Sequence, residues 1–203
     1  CSFQKFSFAF VTIDLFRQTP ESILSISSAK KVRLLSPRFE TDGSTIALWD
    51  FNEGSGVTVH DQSKQGHDGE IFGGAQWVQG IEGQALYFDG IDDYVQVPAD
   101  EHLIQAQQLT LEAWIYREQP AFAENMSVET LLGKDYHYSM GIGHVLYPNH
   151  IVSSFSDQPE ALCPPHGWCD GARDVPLQQW HHIAVQYDGQ TIKTFFDGRL
   201  TDE

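Results

Sequence analysis

Basic side chains are scarce in this chain: 12 Lys and Arg stand against 28 Asp and Glu, a formal charge of −16 over 203 residues. No basic cluster longer than Lys30-Lys31-Val32-Arg33 breaks that bias. Nucleic acid and anionic membrane surfaces reward clustered cations, so both are excluded as expected partners. Long apolar runs are also lacking: none approaches the ~20 residues a bilayer-crossing helix needs, and membrane insertion is not expected. With three cysteines, the chain has too few for a disulfide-dense scaffold. Motifs of catalysis are missing as well, with no Gly-x-Ser-x-Gly elbow, phosphate loop or His-Glu-x-x-His. A retaining glycosidase needs two carboxylates about 5 Å apart. Alternate residues share a strand face, so Glu-x-Asp-x-Glu or Glu-x-Asp-x-x-Glu would be expected, and neither occurs. Asp92 and Asp93 are adjacent and point to opposite faces, while Glu112 stands alone on its strand. The reading is of a protein that is not an enzyme.

What is present is a globular composition, 41% hydrophobic and 12% aromatic, with 17 Gly and 9 Pro spread as many tight turns require. From Ser44 onward, short apolar runs are punctuated by Gly, Asp and Asn, the pattern of an all-β chain. Thr45 to Phe51 reads as a strand, Val57 to His60 as another, and a polar loop follows through Asp61, Ser63, Gly66 and Gly69. Gln84 to Asp89, the turn Gly90-Ile91-Asp92-Asp93 and Tyr94 to Val97 read as a hairpin. In the next strand Leu109, Leu111, Ala113 and Ile115 share one face; Thr110, Glu112, Trp114 and Tyr116 share the other. Trp180 to Tyr187, an Asp188-Gly189-Gln190 turn and Thr191 to Phe196 form a meander. Thr130 to Gly133, Tyr138 to Ile142 and Ile151 to Phe155 are weaker strand signals. Sheets with one apolar face must be covered, which predicts an antiparallel two-sheet β-sandwich, a jelly roll. Phe6, Phe8 and Phe10 alternate with Ser7, Ala9 and Val11, as in a strand, and Thr19-Pro20-Glu21 reads as a helix start.

Four blocks then carry a resemblance: Ala47 to Gly56, Gly83 to Val95, Leu109 to Ile115, and Trp180 to Gly189 with Phe196-Asp197-Gly198. In this order they resemble the laminin G-like jelly rolls of the concanavalin A-like lectin and glucanase superfamily, over residues 44 to 203. Such domains usually continue past the last block with another hairpin and a strand that pairs near the first, so the resemblance implies a jelly roll lacking its C-terminal strands. The division that follows is 1–43 as a flanking segment and 44–203 as the laminin G-like domain. The flanking segment carries a strand and short helix, read as the tail of a preceding copy, as a stand-in for the missing strand, or as an ordinary linker. A first residue of Cys rather than Met reads as a processed product or an excerpt.

For function, the resemblance implies an extracellular recognition module for a glycan or a protein, within a larger secreted or cell-surface chain. A structural spacer and a glycoside hydrolase-related domain are the alternatives. The resemblance also implies a calcium site at a loop edge, where Asp89, Asp92 and Asp93 around Gly90 offer hard oxygen ligands, with Asp50 and Glu53 as contributors. Asx-type turns, in which those carboxylates bond their own backbone, are an equal reading. Tyr136, Tyr138, Tyr147 and Trp168 are candidate ligand-binding aromatics, since sugar rings stack on aromatic faces; packing is the rival account. Core packing is expected for Trp49, Trp114 and Trp180. Cys163 and Cys169 bracket a short loop and read as a disulfide, with zinc on Cys163, His166 and Cys169 as the competitor. For His181 and His182, one inward and one outward, packing and hydrogen bonding are expected over ligation.

Overall fold

Runs of four to nine residues with alternating polarity can bury an apolar face only by stacking one sheet on another. A computed structural model of the chain describes residues 6–14, 41–103, 108–119, 128–134, 137–143, 148–155 and 168–202. Its strands are β1 (Phe6–Asp14), β2 (Thr45–Trp49), β3 (Thr58–Val59), β4 (Gly69–Phe72), β5 (Gln76–Gln79), β6 (Gln84–Phe88), β7 (Tyr94–Gln96) and β8 (Leu109–Arg117). They continue with β9 (Glu129–Lys134), β10 (Tyr138–Ile142), β11 (His150–Phe155), β12 (Cys169–Asp174), β13 (Trp180–Tyr187), β14 (Ile192–Phe196) and β15 (Arg199–Asp202). Only a 3-10 turn at Glu101–Leu103 adds helical character among the described residues.

The largest sheet has the order β15-β14-β13-β8-β1-β6-β5, with β2 also paired to β1. A second sheet runs β12-β11-β10-β9 and a third β3-β4-β7. Every strand pairing is antiparallel. The chain is the all-β sandwich that its patterning predicts. Leu86, Leu111, Ile115, Ile183 and Val185 of the large sheet meet Met140, Ile142, Ile151 and Phe155 of the second, and Val59 and Ile71 of the third, in one buried cluster. Each such side chain contributes about 1.5–3 kcal/mol on burial. The β8 alternation continues to Arg117, which is fully buried. Its Nη1 donates to the Val175 carbonyl at 2.7 Å and its Nη2 to Asn149 Oδ1 at 3.2 Å. Burial lowers the guanidinium's proton affinity, while the charges of Glu129 and Asp174 hold it up.

One expected pairing is wrong. Gln84–Asp89 and Tyr94–Val97 do not form a hairpin: β6 pairs with β5 and β1 in the large sheet, whereas β7 pairs with β4 in the third. Residues 89–93 therefore carry the chain from one sheet to another. The cause lies in β4, whose Ile71 pairs with Val95 and which interrupts what reads as a polar loop. The first strand also stops at Trp49, because Phe51 adopts a φ of 48°. Strand β1, expected as a flanking or substitute strand, lies inside the large sheet, with β8 on one side and β2 and β6 on the other. The helix expected from Thr19 lies outside the described residues.

Two contacts fasten the layers. The side chain of Asp61 is wholly buried; Oδ1 accepts the Leu48 and Ser63 N–H groups at 3.0 and 2.8 Å, and Oδ2 accepts the Ser63 hydroxyl and the His67 N–H at 2.7 and 3.0 Å. On β12, a Cβ added to Gly171 would lie 2.5 Å from Thr194 Cγ2 of β14. Beside it the Thr201 hydroxyl of β15 donates to the Gly171 carbonyl at 3.0 Å.

Burial alone would raise the Asp61 carboxyl, but the bonds from Ser63, Leu48 and His67 outweigh it and hold the carboxyl below the ordinary 3.8. A carboxyl lowered on folding stabilises the native state above its unfolded pKa, and that contribution disappears as pH falls through the folded value. Asp61→Asn, which gives up two of the acceptor positions, is expected to cost roughly 2–4 kcal/mol at neutral pH. It should also flatten the stability curve below about pH 4. Urea unfolding across pH checks both expectations.

Candidate functional site

Two features outside the core hold groups capable of binding. The first is the corner between sheets. As β6 ends, Asp89 N–H donates to Asp93 Oδ2 at 2.7 Å and Ile91 N–H donates to Asp89 Oδ1 at 2.8 Å. Gly90 supplies the positive φ, 76°, that the reversal needs. The opposite wall is as tight, since a Cβ on Gly73 would sit 2.3 Å from the Asp92 carbonyl oxygen. This brings one carboxylate oxygen each of Asp89, Asp92 and Asp93 within 4.8 Å of one another. Burial pushes the Asp93 carboxyl above its ordinary pKa; the Asp89 N–H opposes that shift, and the charges of Asp89 and Asp92 add to it. Both readings from the sequence thus meet here: the side chains bond their own backbone and still converge their oxygens.

Three carboxylate oxygens so close together are the hard donor type that divalent cations such as Ca²⁺ take. Asp50 and Glu53 belong elsewhere. Asp50 accepts from Asn52, and Glu53 Oε1 accepts the His60 N–H at 2.8 Å.

The second feature is the face of β8 and β13 turned away from the main core. Register pairs Trp180 with Tyr116, His182 with Trp114, Ala184 with Glu112 and Gln186 with Thr110. The Tyr116 and Trp180 rings lie 5.7 Å apart, tilted 57°, and those of Trp114 and His182 lie 5.6 Å apart, tilted 47°. His182 Nε2 is 3.2 Å from Glu112 Oε2, and Gln186 Nε2 donates to Thr110 Oγ1 at 3.4 Å. Trp114 and Trp180, both half-buried, pack with Val78 around Ala85, apart from the main cluster. They pack as expected, though in this smaller cluster; Trp49 lies in the main one, with its indole N–H donated to the His67 carbonyl at 2.7 Å. Together these residues form a strip of half-buried aromatic rings beside a carboxylate and an amide that are themselves buried, Glu112 at 6% exposure and Gln186 at 7%. On these two strands Glu112 is the single carboxylate of that face.

The aromatic set proposed from the sequence fares differently. Tyr138 is buried in the main cluster, and burial drives its hydroxyl pKa up to about 12; it serves packing and presents no ring to a ligand. Trp168 is half-buried just before β12. Tyr136, Tyr147, Cys163 and His166 lie outside the described residues. His181 turns to the core face, its Nδ1 3.0 Å from Asp197 Oδ2 and its ring against Phe196. His182 faces the other way, as alternation requires.

A family model described as the concanavalin A-like lectin/glucanases superfamily, of the laminin G type, matches residues 88–203, more than half the chain. The chain belongs to this superfamily. In the laminin G-like chain both the acidic corner, apart from the β4–β5 wall, and the β8–β13 strip fall inside the matched residues. No curated protein and no solved structure matches it.

Asp93 is the informative position of this laminin G-like corner. An acid whose pKa rises on folding opposes folding above that pKa, and the penalty lifts as pH falls through it. Asp93→Asn is therefore expected to raise the melting temperature of the calcium-free protein at pH 7. The same change should abolish any calcium-dependent rise, which in the unaltered chain should reach about 2.7 kcal/mol at a hundredfold excess over Kd. Calorimetry with chelator and with calcium reads both effects.

Proposed function

We propose that the chain is a non-catalytic extracellular recognition module that binds a neutral glycan on the aromatic strip of β8 and β13, with calcium held at the Asp89, Asp92 and Asp93 corner. The observation that carries this reading is the placing of Trp114, Tyr116 and Trp180 on one face together with Glu112, His182 and Gln186. Sugar rings present flat C–H faces that lie on indole and phenol rings, and the Glu112 carboxylate 3.2 Å from His182 holds that imidazole against the Trp114 ring. A formal charge of −16 repels anionic polysaccharides and favours neutral ones.

An oxidising compartment accompanies this reading. The five-residue loop between Cys163 and Cys169 supports their pairing, and disulfides persist in secreted proteins. Residues 44–203 are the recognition unit in this scheme, and 1–43 the segment that precedes it.

A glycan array carrying neutral oligosaccharides tests the reading, followed by titration of the best ligand. Trp180→Ala is expected to weaken binding at least about tenfold, or ~1.4 kcal/mol, while calorimetry shows the domain still folded. Uniform silence of the array, with folded protein, would reject the glycan; release of sugar from the best ligand would reject the non-catalytic assignment.

A further inference from the structure

The position of β1 in the large sheet is unusual for a strand so far from its partners in sequence. It pairs with β8 from Phe6↔Arg117 to Asp14↔Thr110. On its other side it pairs with β6 over Phe6↔Phe88 to Phe8↔Leu86, and with β2 over Val11↔Trp49 to Asp14↔Thr45. No pairing joins β8 directly to β2 or β6 among the described residues. Without β1 the sheet would divide into β15-β14-β13-β8 and the β2, β6 and β5 group. Each part would present a row of bare N–H and C=O groups to a gap one strand wide. Such a pair of edges is a template for an extended chain running antiparallel to both. The core spans the gap, since Ala47, Trp49 and Leu86 on one side share a cluster with Leu111, Ala113 and Ile115 on the other.

The superfamily match begins at residue 88, so β8 belongs to the matched unit while β1 comes from well before it. Residues 15–44 join Asp14 to Thr45, although these two are neighbours in register. Fully extended, that connection reaches about 100 Å at ~3.3 Å per residue. A connection of this length still holds β1 at a roughly millimolar effective concentration, so a strand from a second copy competes only in concentrated protein.

We propose that the gap between β8 and the β2 and β6 edge is a strand-acceptor groove, filled in cis by residues 6–14, that takes the same segment from a second copy of this chain. The occupant is set by register: residues 6–8 and 11–14 already pair with both edges, on either side of a bulge at Ala9. Concentrated protein would then form strand-exchanged dimers, as long hinge segments permit. The inference is independent of any glycan or metal.

The test uses the full chain with a protease site inserted between Ser27 and Ser28. After cutting, size exclusion under native conditions should recover the N-terminal piece with residues 28–203. A fluorescent peptide of residues 1–17 should then displace it, with rising anisotropy, and the same peptide carrying Val11→Pro should compete at least tenfold less well because it lacks an N–H in the paired stretch. Separation of the two pieces, with the remainder keeping its melting temperature, would overturn the complementing role of β1. Retention of the cut piece with no exchange over a day would overturn acceptance from a second copy. Equal competition by the Val11→Pro peptide would show that pairing is not the basis of capture. Each readout is made without ligand, so failure of the array experiment leaves it untouched.

Discussion

Backbone pairing along both edges of β8 is the constraint on which the rest of the structure depends. Residues 110–116 pair with β1 on one side and β13 on the other, so that stretch cannot shift register without breaking two ladders at once. Side chains must then alternate strictly. Leu109, Leu111, Ala113, Ile115 and Arg117 fall toward the interior, and Thr110, Glu112, Trp114 and Tyr116 toward the other face. The interior row accepts a guanidinium at its end only because Val175 and Asn149 meet its N–H groups; a buried charge without partners would cost several kcal/mol. The outer row owes its composition to the same alternation.

The acidic corner and the aromatic strip share that frame. Strand β6 contributes Ala85, against which Trp114 and Trp180 pack, and ends where Asp89 begins the cluster. Gly73 closes against the backbone of Asp92, so the three carboxylates are brought together by the crossing between sheets rather than by their own attraction. Burial first, and the neighbouring charges of Asp89 and Asp92 after it, raise the Asp93 carboxyl.

Much of this was legible in the sequence because period-two alternation identifies strands and the two faces of each strand. β8, β13 and the turn into β14 follow it closely, with Asp188 accepting the Gln190 and Thr191 N–H groups as turn acids do. Partner choice is not local, and there the reading failed. Asp89 to Asp93 has the composition of a hairpin turn, but β7 found a better partner in β4, hidden in a polar stretch by Gly69 and Glu70. Alternation also says which residues share a face without saying which face meets the core. Trp114 falls on the Thr110 and Glu112 face, as alternation requires, and there it packs with Trp180 around Ala85, a second cluster that alternation alone does not reveal. Tyr138 illustrates the converse: a ring in a variable region, yet in phase with Met140 and Ile142, whose burial it shares.

Gly171 has a mechanical consequence. With no side chain there, β12 lies against Thr194 and accepts the Thr201 hydroxyl, which stitches the second sheet to the large one along a single border. The opposite border of the second sheet is β9. A side chain at 171 would force β12 away from Thr194 and disturb the Thr201 bond with it, so the two sheets approach this closely only with glycine at that position.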